Sequence, residues 1–188
     1  MMRPFALAEA VNWLGGTLAV GDLDGVMFQG VSTDTRRIAS GDVFVALRGE
    51  NFDGHDYLAV AEQAGAVAAV VDQADPNLAL PQVRVSDTIG ALADLALANR
   101  NASTARFVAI TGSSGKTTVR EMVAAILSQV GNTLATEGNL NNHIGVPLTL
   151  FRLSPEHQLG AIELGASALG EIAHTVNIVR PEVVILTN

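Results

Sequence analysis

The chain has 188 residues, and its 11 Lys and Arg against 19 Asp and Glu give a formal net charge of −8. That length allows one ordinary domain or two small ones, and 48% hydrophobic against 16% charged residues argues against intrinsic disorder. A pI near 4.8 disfavours a general nucleic-acid binder, which needs a basic face, and the lack of cysteine excludes disulfides, zinc–thiolate sites and a thiol nucleophile. Residues 1–16 do not read as a signal peptide, because Arg3 is followed by an amphipathic stretch containing Glu9. No apolar run reaches the length of about 18 residues that a membrane span needs, so no membrane insertion is expected. The expectation is a cytoplasmic α/β protein.

In chain order, Phe5, Leu7, Ala8, Val11 and Leu14 have helical spacing and stop at Gly15-Gly16, which predicts a helix over 5–14. Strands are expected at 17–20, 26–31 and 43–47, separated by turns containing Gly and Asp. Asp53-Gly54-His55-Asp56 opens a second helix running to Gln63, and 66–71 reads as a buried strand. The first block closes at 82–85, after a loop at 72–81 that holds Pro76 and Pro81.

The second block has a different rhythm. A helix at 87–101, a strand at 107–111 and a helix at 116–130 are followed by a short strand at 133–135 and an Asn-rich loop. A helix at 146–153, a strand at 159–164, a helix at 171–179 and a strand at 183–186 complete the chain. Nearly all-apolar strands alternating with helices predict a parallel sheet covered on both faces. The expected fold class is therefore α/β, a small mixed domain at 1–84 followed by part of a phosphate-loop-type parallel-sheet domain at 85–188. Asn188 follows directly on a strand with no covering helix, so the sheet is expected to be truncated there.

The sharpest chemical signal is Thr111-Gly112-Ser113-Ser114-Gly115-Lys116-Thr117-Thr118, directly after an apolar strand and directly before a helix. A phosphate-binding loop requires that context. Its glycines let successive N–H groups turn toward phosphate oxygens, and the helix N-terminus adds its positive end. Lys116 supplies a point charge for the β- and γ-phosphates, and the Thr117 hydroxyl suits Mg²⁺. The long form of the motif has Gly where Ile110 stands, so this is the shorter Gly-x-x-Gly-Lys-Thr form. A plain glycine-rich turn with a surface lysine is the competing explanation.

Glu163 lies in the otherwise apolar Ala161-Ile162-Glu163-Leu164-Gly165, where a buried carboxylate is costly unless paired. At the end of a parallel strand beside a phosphate loop, a metal ion is the natural partner; a solvated edge Glu is the alternative. The loop from Glu137 to Gly145 offers Asn139, Asn142 and His143 to phosphate, metal-bound water or a carboxylate, although Asn and Gly also favour plain turns. In the first block, Ser32, Thr33, Asp34, Thr35 and Arg36 form one candidate binding loop. Arg48, Gly49, Asp53, His55 and Asp56 belong to another, with Arg36 and Arg48 as anion contacts. Capping explains the acidic residues equally well, Asp34 at a turn and Asp53 with Asp56 at a helix start. His174 reads as structural, and His157 carries no signal.

Together these residues resemble the Mur ligase family. The resemblance rests on 111–118, on 139–148, on Glu163-Leu164-Gly165-Ala166-Ser167 with Gly170-Glu171-Ile172, and on Ile185-Leu186-Thr187-Asn188. Ahead of them, 32–36, 41–47 and 52–57 resemble the family's amino-terminal UDP-binding domain. Ser113-Ser114 and the 139–148 stretch are similar to the branch that joins D-alanyl-D-alanine to a UDP-N-acetylmuramoyl tripeptide in peptidoglycan precursor synthesis.

The resemblance implies an ATP-dependent ligase working through an acyl phosphate, with a UDP-binding domain followed by an ATPase domain. It implies ATP on 112–118, Mg²⁺ on Thr117 and Glu163, and Lys116, Asn139, Asn142 and His143 around the phosphoryl transfer. The uridine end would meet Ser32 to Arg36, with Arg48 to Asp56 facing the rest of the substrate. A monomer without nucleic-acid partners is expected. The family has further sequence beyond this point, so the chain is expected to be an amino-terminal fragment that binds ligands without turnover. A sibling ligase adding the third amino acid would prefer Asn in place of Ser113-Ser114, and a folylpolyglutamate synthase-like enzyme would lack the UDP-binding block. A pure UDP-sugar binding module is the reading from another class.

Overall fold

Short apolar runs punctuated by Gly and Asp turns build the first of two units, Arg3–Leu95, and longer strand–helix repeats build the second, Ala96–Asn188. These come from a computed structural model describing residues 1–166 and 168–188; Ser167, part of the Glu163 motif, lies outside the described residues. Each unit is α/β, as the alternation of elements predicts. The division falls inside one helix.

The first unit contains β1 (Phe5–Ala6), α1 (Leu7–Trp13), β2 (Thr17–Val20), β3 (Met27–Phe28), β4 (Gly30–Ser32) and β5 (Asp42–Val45). A two-residue-per-strand hairpin follows, β6 (Arg48–Gly49) and β7 (Phe52–Asp53), then α2 (Leu58–Gln63), β8 (Ala68–Val71) and β9 (Gln82–Arg84). The main sheet has the order β2-β9-β8-β5-β4, parallel except for the antiparallel β2–β9 pair. Phe44, Leu58, Ala61, Ala69, Val71 and Leu80 form its core, the alanines leaving room for α2 to lie close to the strands. Buried Gln82 ties down the 72–81 loop, accepting from the Asp75 N–H and donating to its carbonyl, both at 2.8 Å.

Three local expectations change here. The helix expected over 5–14 begins only at Leu7, because Phe5–Ala6 pairs as strand β1 with β3. The run 26–31 is not one strand: it breaks at Gln29, whose N–H donates to the Gly41 carbonyl. β3 pairs antiparallel with β1, whereas β4 joins the main sheet beside β5. Gly30 allows this close pairing, since a Cβ there would stand 2.0 Å from the Asp42 carboxylate. The helix expected from Asp53 to Gln63 starts as a 3₁₀ turn, Gly54–Tyr57, and becomes α-helical only at Leu58. Asp53 caps that turn by accepting from the His55 N–H at 3.0 Å.

Helix α3 (Thr88–Asn101) runs across the division. The second unit then contains β10 (Arg106–Gly112), α4 (Lys116–Leu127), β11 (Thr133–Ala135), α5 (Gly145–Leu150), β12 (Leu159–Glu163), α6 (Glu171–Val179) and β13 (Val183–Thr187). Its four strands are all parallel in the order β11-β12-β10-β13, so the expected parallel sheet is present with β10 inside it. Cover on both faces holds for β10 and β12, where Phe107, Ala109, Ile110, Ala161 and Ile162 are buried. It does not hold for β13, where Val183, Val184 and Leu186 are exposed among the described residues.

The end of α3 closes two helix C-termini whose last carbonyls have no partner within their own helix. Asn99 Nδ2 donates to the carbonyls of Leu150 and Leu153, at 2.9 and 3.0 Å. Arg100 Nε donates to the Val179 carbonyl at 2.7 Å and Nη2 to that of Arg180 at 3.1 Å, its guanidinium 4.3 Å from the Phe107 ring centroid. These bonds fix α5 and α6 against the sheet that carries the loop between β10 and α4.

Candidate functional site

Strand β10 delivers the chain to Gly112, and α4 takes it away at Lys116. Gly112 has φ 137°, and a Cβ on it would stand 2.2 Å from the Thr187 carbonyl oxygen, so no other residue fits. Gly115, at φ 76°, is the left-handed residue that turns the loop into the helix. Lys116 Nζ donates to the Gly112 carbonyl at 2.8 Å, which folds the amine back across the loop. Ser113, Ser114, Thr117 and Thr118 are exposed around it. The Ser114 N–H and hydroxyl both donate to the Asn188 carbonyl, at 2.5 and 2.9 Å. The loop thus presents one primary amine, several hydroxyls and the N-terminus of a twelve-residue helix.

Glu163 stands at the end of β12, in register with Ile110 on β10, two residues before the loop's first glycine. It is 2% exposed. Its Oε1 accepts from Asn141 Nδ2 at 2.9 Å, while Oε2 has no hydrogen bond and lies 3.8 Å from Nε of buried Arg120 on α4. Its own N–H donates to the Thr136 hydroxyl at 2.9 Å. The solvated-edge alternative for Glu163 is therefore removed. A carboxylate with one buried, unbonded oxygen is the kind of donor a hard divalent cation takes. Among the described residues, no three His, Asp or Glu side chains gather into a metal-binding group.

The Asn-rich loop divides its labour. Asn142 Oδ1 accepts from the N–H groups of Ile144 and Gly145, at 3.2 and 2.7 Å, and so starts α5. Asn139 is exposed, and its carbonyl accepts from the Asn141 N–H at 2.8 Å. His143 is half-buried beside it in sequence. Asn141 and Thr136 hold Glu163 and Arg120 faces it, and none of them stands out from spacing alone. Asn141 is one of three asparagines in a short run, and Arg120 looks like any helix-surface cation.

In the first unit, Thr33, Asp34, Thr35 and Arg36 line a pocket of about 450 Å³ together with Phe44, Phe52 and Tyr57. Phe52 and Tyr57 are half-exposed and stacked, their ring centroids 5.6 Å apart. The aromatic wall was not among the expected contacts, although both rings fall within the 52–57 motif. Ser32 is buried, and its hydroxyl donates to the Asp34 carbonyl and accepts from the Asp34 N–H, so it shapes the loop. Arg48, Asp53 and His55 are joined to one another and to Asp72. His55 Nδ1 is 2.6 Å from Asp53 Oδ1, Nε2 accepts from the Asp72 N–H at 3.2 Å, and Arg48 Nη2 donates to Asp72 at 2.9 Å. Gly49 sits in the hairpin with Arg48, and Asp56 is exposed in the following turn. Of the other histidines, His174 is exposed on α6. His157 accepts from the Ser154 N–H at 3.0 Å, and burial pushes its pKa down.

Among the described residues, no helix is long and apolar enough to cross a membrane. The family description "Mur ligase middle domain" matches residues 110–188, and "Mur ligase family, catalytic domain" matches residues 27–100. The UDP-N-acetylmuramoyl-tripeptide–D-alanyl-D-alanine ligase of Escherichia coli (strain K12) is 50% identical over 187 residues, which is 100% of this chain and 40% of that protein. The ligase of the same name from Bacillus subtilis (strain 168) is 37% identical over 97% of this chain and 40% of its own length. Among solved structures, MurF from Acinetobacter baumannii superposes with a TM-score of 0.91 at 38% identity, covering 98% of this chain and 41% of that one. MurF ligase from Thermotoga maritima, solved in complex with ADP, gives 0.77 at 32% identity, over 84% of this chain and 37% of that one. The chain spans about 40% of the length of these curated relatives.

Proposed function

Because the chain belongs to the Mur ligase family, we propose that it supplies the ATP and UDP-substrate sites of the ligase joining D-alanyl-D-alanine to UDP-N-acetylmuramoyl tripeptide. In that reaction the γ-phosphoryl group of ATP passes to the tripeptide's terminal carboxylate, giving an acyl phosphate and ADP. The amine of D-alanyl-D-alanine then attacks the acyl carbon, phosphate leaves, and the new amide loses a proton. Such chemistry asks mainly for positioning and charge neutralisation. Under this reading the enzyme works in the cytoplasm as a monomer.

One observation carries the reading: a Gly-x-x-Gly-Lys-Thr loop at a helix N-terminus lies beside a strand that ends in a buried carboxylate with an unbonded oxygen. Lys116 exchanges the Gly112 carbonyl for β- and γ-phosphate oxygens, a stronger, charge-assisted contact. The N–H groups and hydroxyls of 112–118 surround the triphosphate. Thr117 and Glu163 would hold Mg²⁺, which when bound neutralises phosphate charge. Asn139 and His143 stand nearest in sequence for the transferring group, while Asn142 fixes their loop through α5.

At the substrate end, the flat Phe52–Tyr57 pair suits a pyrimidine ring, with Thr33, Thr35 and Arg36 offering polar contacts around it. Arg48, Asp53 and His55 act by fixing the hairpin that carries Phe52, since their polar atoms already engage one another and Asp72. Amide NMR of the chain tests both halves. ATP with Mg²⁺ is expected to shift 112–118, and the UDP-muramoyl tripeptide to shift 33–36 with Phe52 and Tyr57. A chain whose spectrum ignores the UDP substrate would refute the uridine assignment, and one that ignores ATP would refute the nucleotide assignment.

A further inference from the structure

The two oxygens of Glu163 have unlike surroundings, and the difference is built by residues outside the phosphate loop. Oε1 is held by the Asn141 amide at 2.9 Å. Oε2 faces Arg120 Nε at 3.8 Å, and both atoms are buried without a hydrogen bond. A guanidinium and a carboxylate meant only for each other close to about 2.7–2.9 Å. Here Arg120 spends Nη1 on Glu121 at 2.8 Å instead. Leaving one polar atom of each charged group buried without a hydrogen bond is expensive, and such a cost persists where a ligand later meets it.

Asn141 is fixed from several sides. Its N–H donates to the Asn139 carbonyl and its own carbonyl accepts from the Gly165 N–H, both at 2.8 Å. A Cβ on Gly165 would come within 2.9 Å of the Asn141 amide carbon, so the glycine makes room for that side chain. Thr136, at the other end of the same segment, fixes the Glu163 backbone. The chain from 136 to 141 therefore grips Glu163 by its main chain and by one carboxylate oxygen, and leaves the other oxygen alone.

Resting on the nucleotide reading above, we infer that Asn141 is a positioning residue that holds Glu163 Oε2 free for a divalent cation. Arg120 is the charge that balances the carboxylate when no cation is bound. Without the Asn141 amide, the carboxylate can rotate and close onto Arg120, and a cation must then break that ion pair to bind. Groups that orient a metal-binding carboxylate typically contribute 10- to 100-fold to metal affinity.

The test measures ADP affinity of the whole chain by calorimetry, with EDTA and with Mn²⁺, and follows free Mn²⁺ by electron paramagnetic resonance. In Asn141→Ala the Mn²⁺-dependent gain in ADP affinity is expected to fall about tenfold. Added to Glu163→Gln, the same change should have no further effect, because both act through one carboxylate. Asn141→Ser, which keeps a small polar group but is too short for Oε1, should behave as Asn141→Ala does and serves if the alanine variant does not fold. An Asn141 variant that only unfolds more easily, with its Mn²⁺ gain intact, would overturn the inference and leave the nucleotide reading standing. So would losses that add independently to that of Glu163→Gln. Wild-type protein that binds no ADP, or whose ADP affinity ignores Mn²⁺, would overturn the site reading and this inference together.

Discussion

Asp34 and Arg36 show how much one pair of neighbouring side chains can do without burial. Asp34 accepts from Arg36 Nε and Nη2 at 2.9 and 2.7 Å and from its backbone N–H at 3.0 Å. The guanidinium hydrogen bonds, then the backbone one, hold the Asp34 pKa at about 2, below its ordinary 3.8. A depressed carboxylate contributes stability that is present above its unfolded pKa and lost as pH falls from 3.8 through about 2. The Arg36 side chain is 86% exposed, so solvent screens the pair and its stabilisation is small. Arg36→Ala is expected to raise the Asp34 pKa toward 3.8, as read by carboxyl-carbon NMR; an Asp34 still titrating near 2 would exclude the pair as the cause. Residue identity alone pointed to Lys116 and Glu163, because a lysine after a glycine turn and a carboxylate in an apolar strand are each conspicuous. It could not separate Asn141 from Asn142, whose amides serve a carboxylate and a helix start respectively. Nor could it show that Arg48 is engaged by Asp72, which is 24 residues away.

Among the elements, the loop between β10 and α4 depends on two glycines for different reasons. Gly115 needs only its left-handed backbone, for a Cβ there would meet open space. Gly112 needs close approach as well, since a Cβ would strike the backbone of Thr187 on β13. Chemical denaturation should therefore show Gly115→Ala costing about 1–2 kcal/mol, the penalty of a left-handed alanine. Gly112→Ala should cost more, because β13 must shift; equal or reversed costs would contradict the contact. The loop was legible as an element because strand, glycines and helix follow in strict order. Strands β10 and β12 and helices α4 and α6 of the second unit were legible for a similar reason, each being long enough to show its period. The run 26–31 was not, because alternation does not reveal where a strand changes partner. The β6–β7 hairpin has two residues in each strand, too few to carry a pattern.

For the whole molecule, the alternation of elements made the α/β class legible, but the division inside α3 depends on contacts that the sequence does not display. Asn99 and Arg100 look like unremarkable polar residues at a helix end, yet they bond to carbonyls 51 to 80 residues away. The sheet order puts β12 beside β10, and so brings Glu163 level with Ile110, just before the loop that leads to Lys116. On that arrangement rests the central claim, that the second unit binds ATP through Lys116. Calorimetry of the chain with ATP and Mg²⁺, comparing wild type with Lys116→Ala, tests it most directly. Loss of a charge-assisted contact should weaken ATP by about 1.5–3 kcal/mol or abolish measurable binding, with the circular dichroism spectrum unchanged. An equally folded Lys116→Ala variant that binds ATP with wild-type affinity would contradict the account.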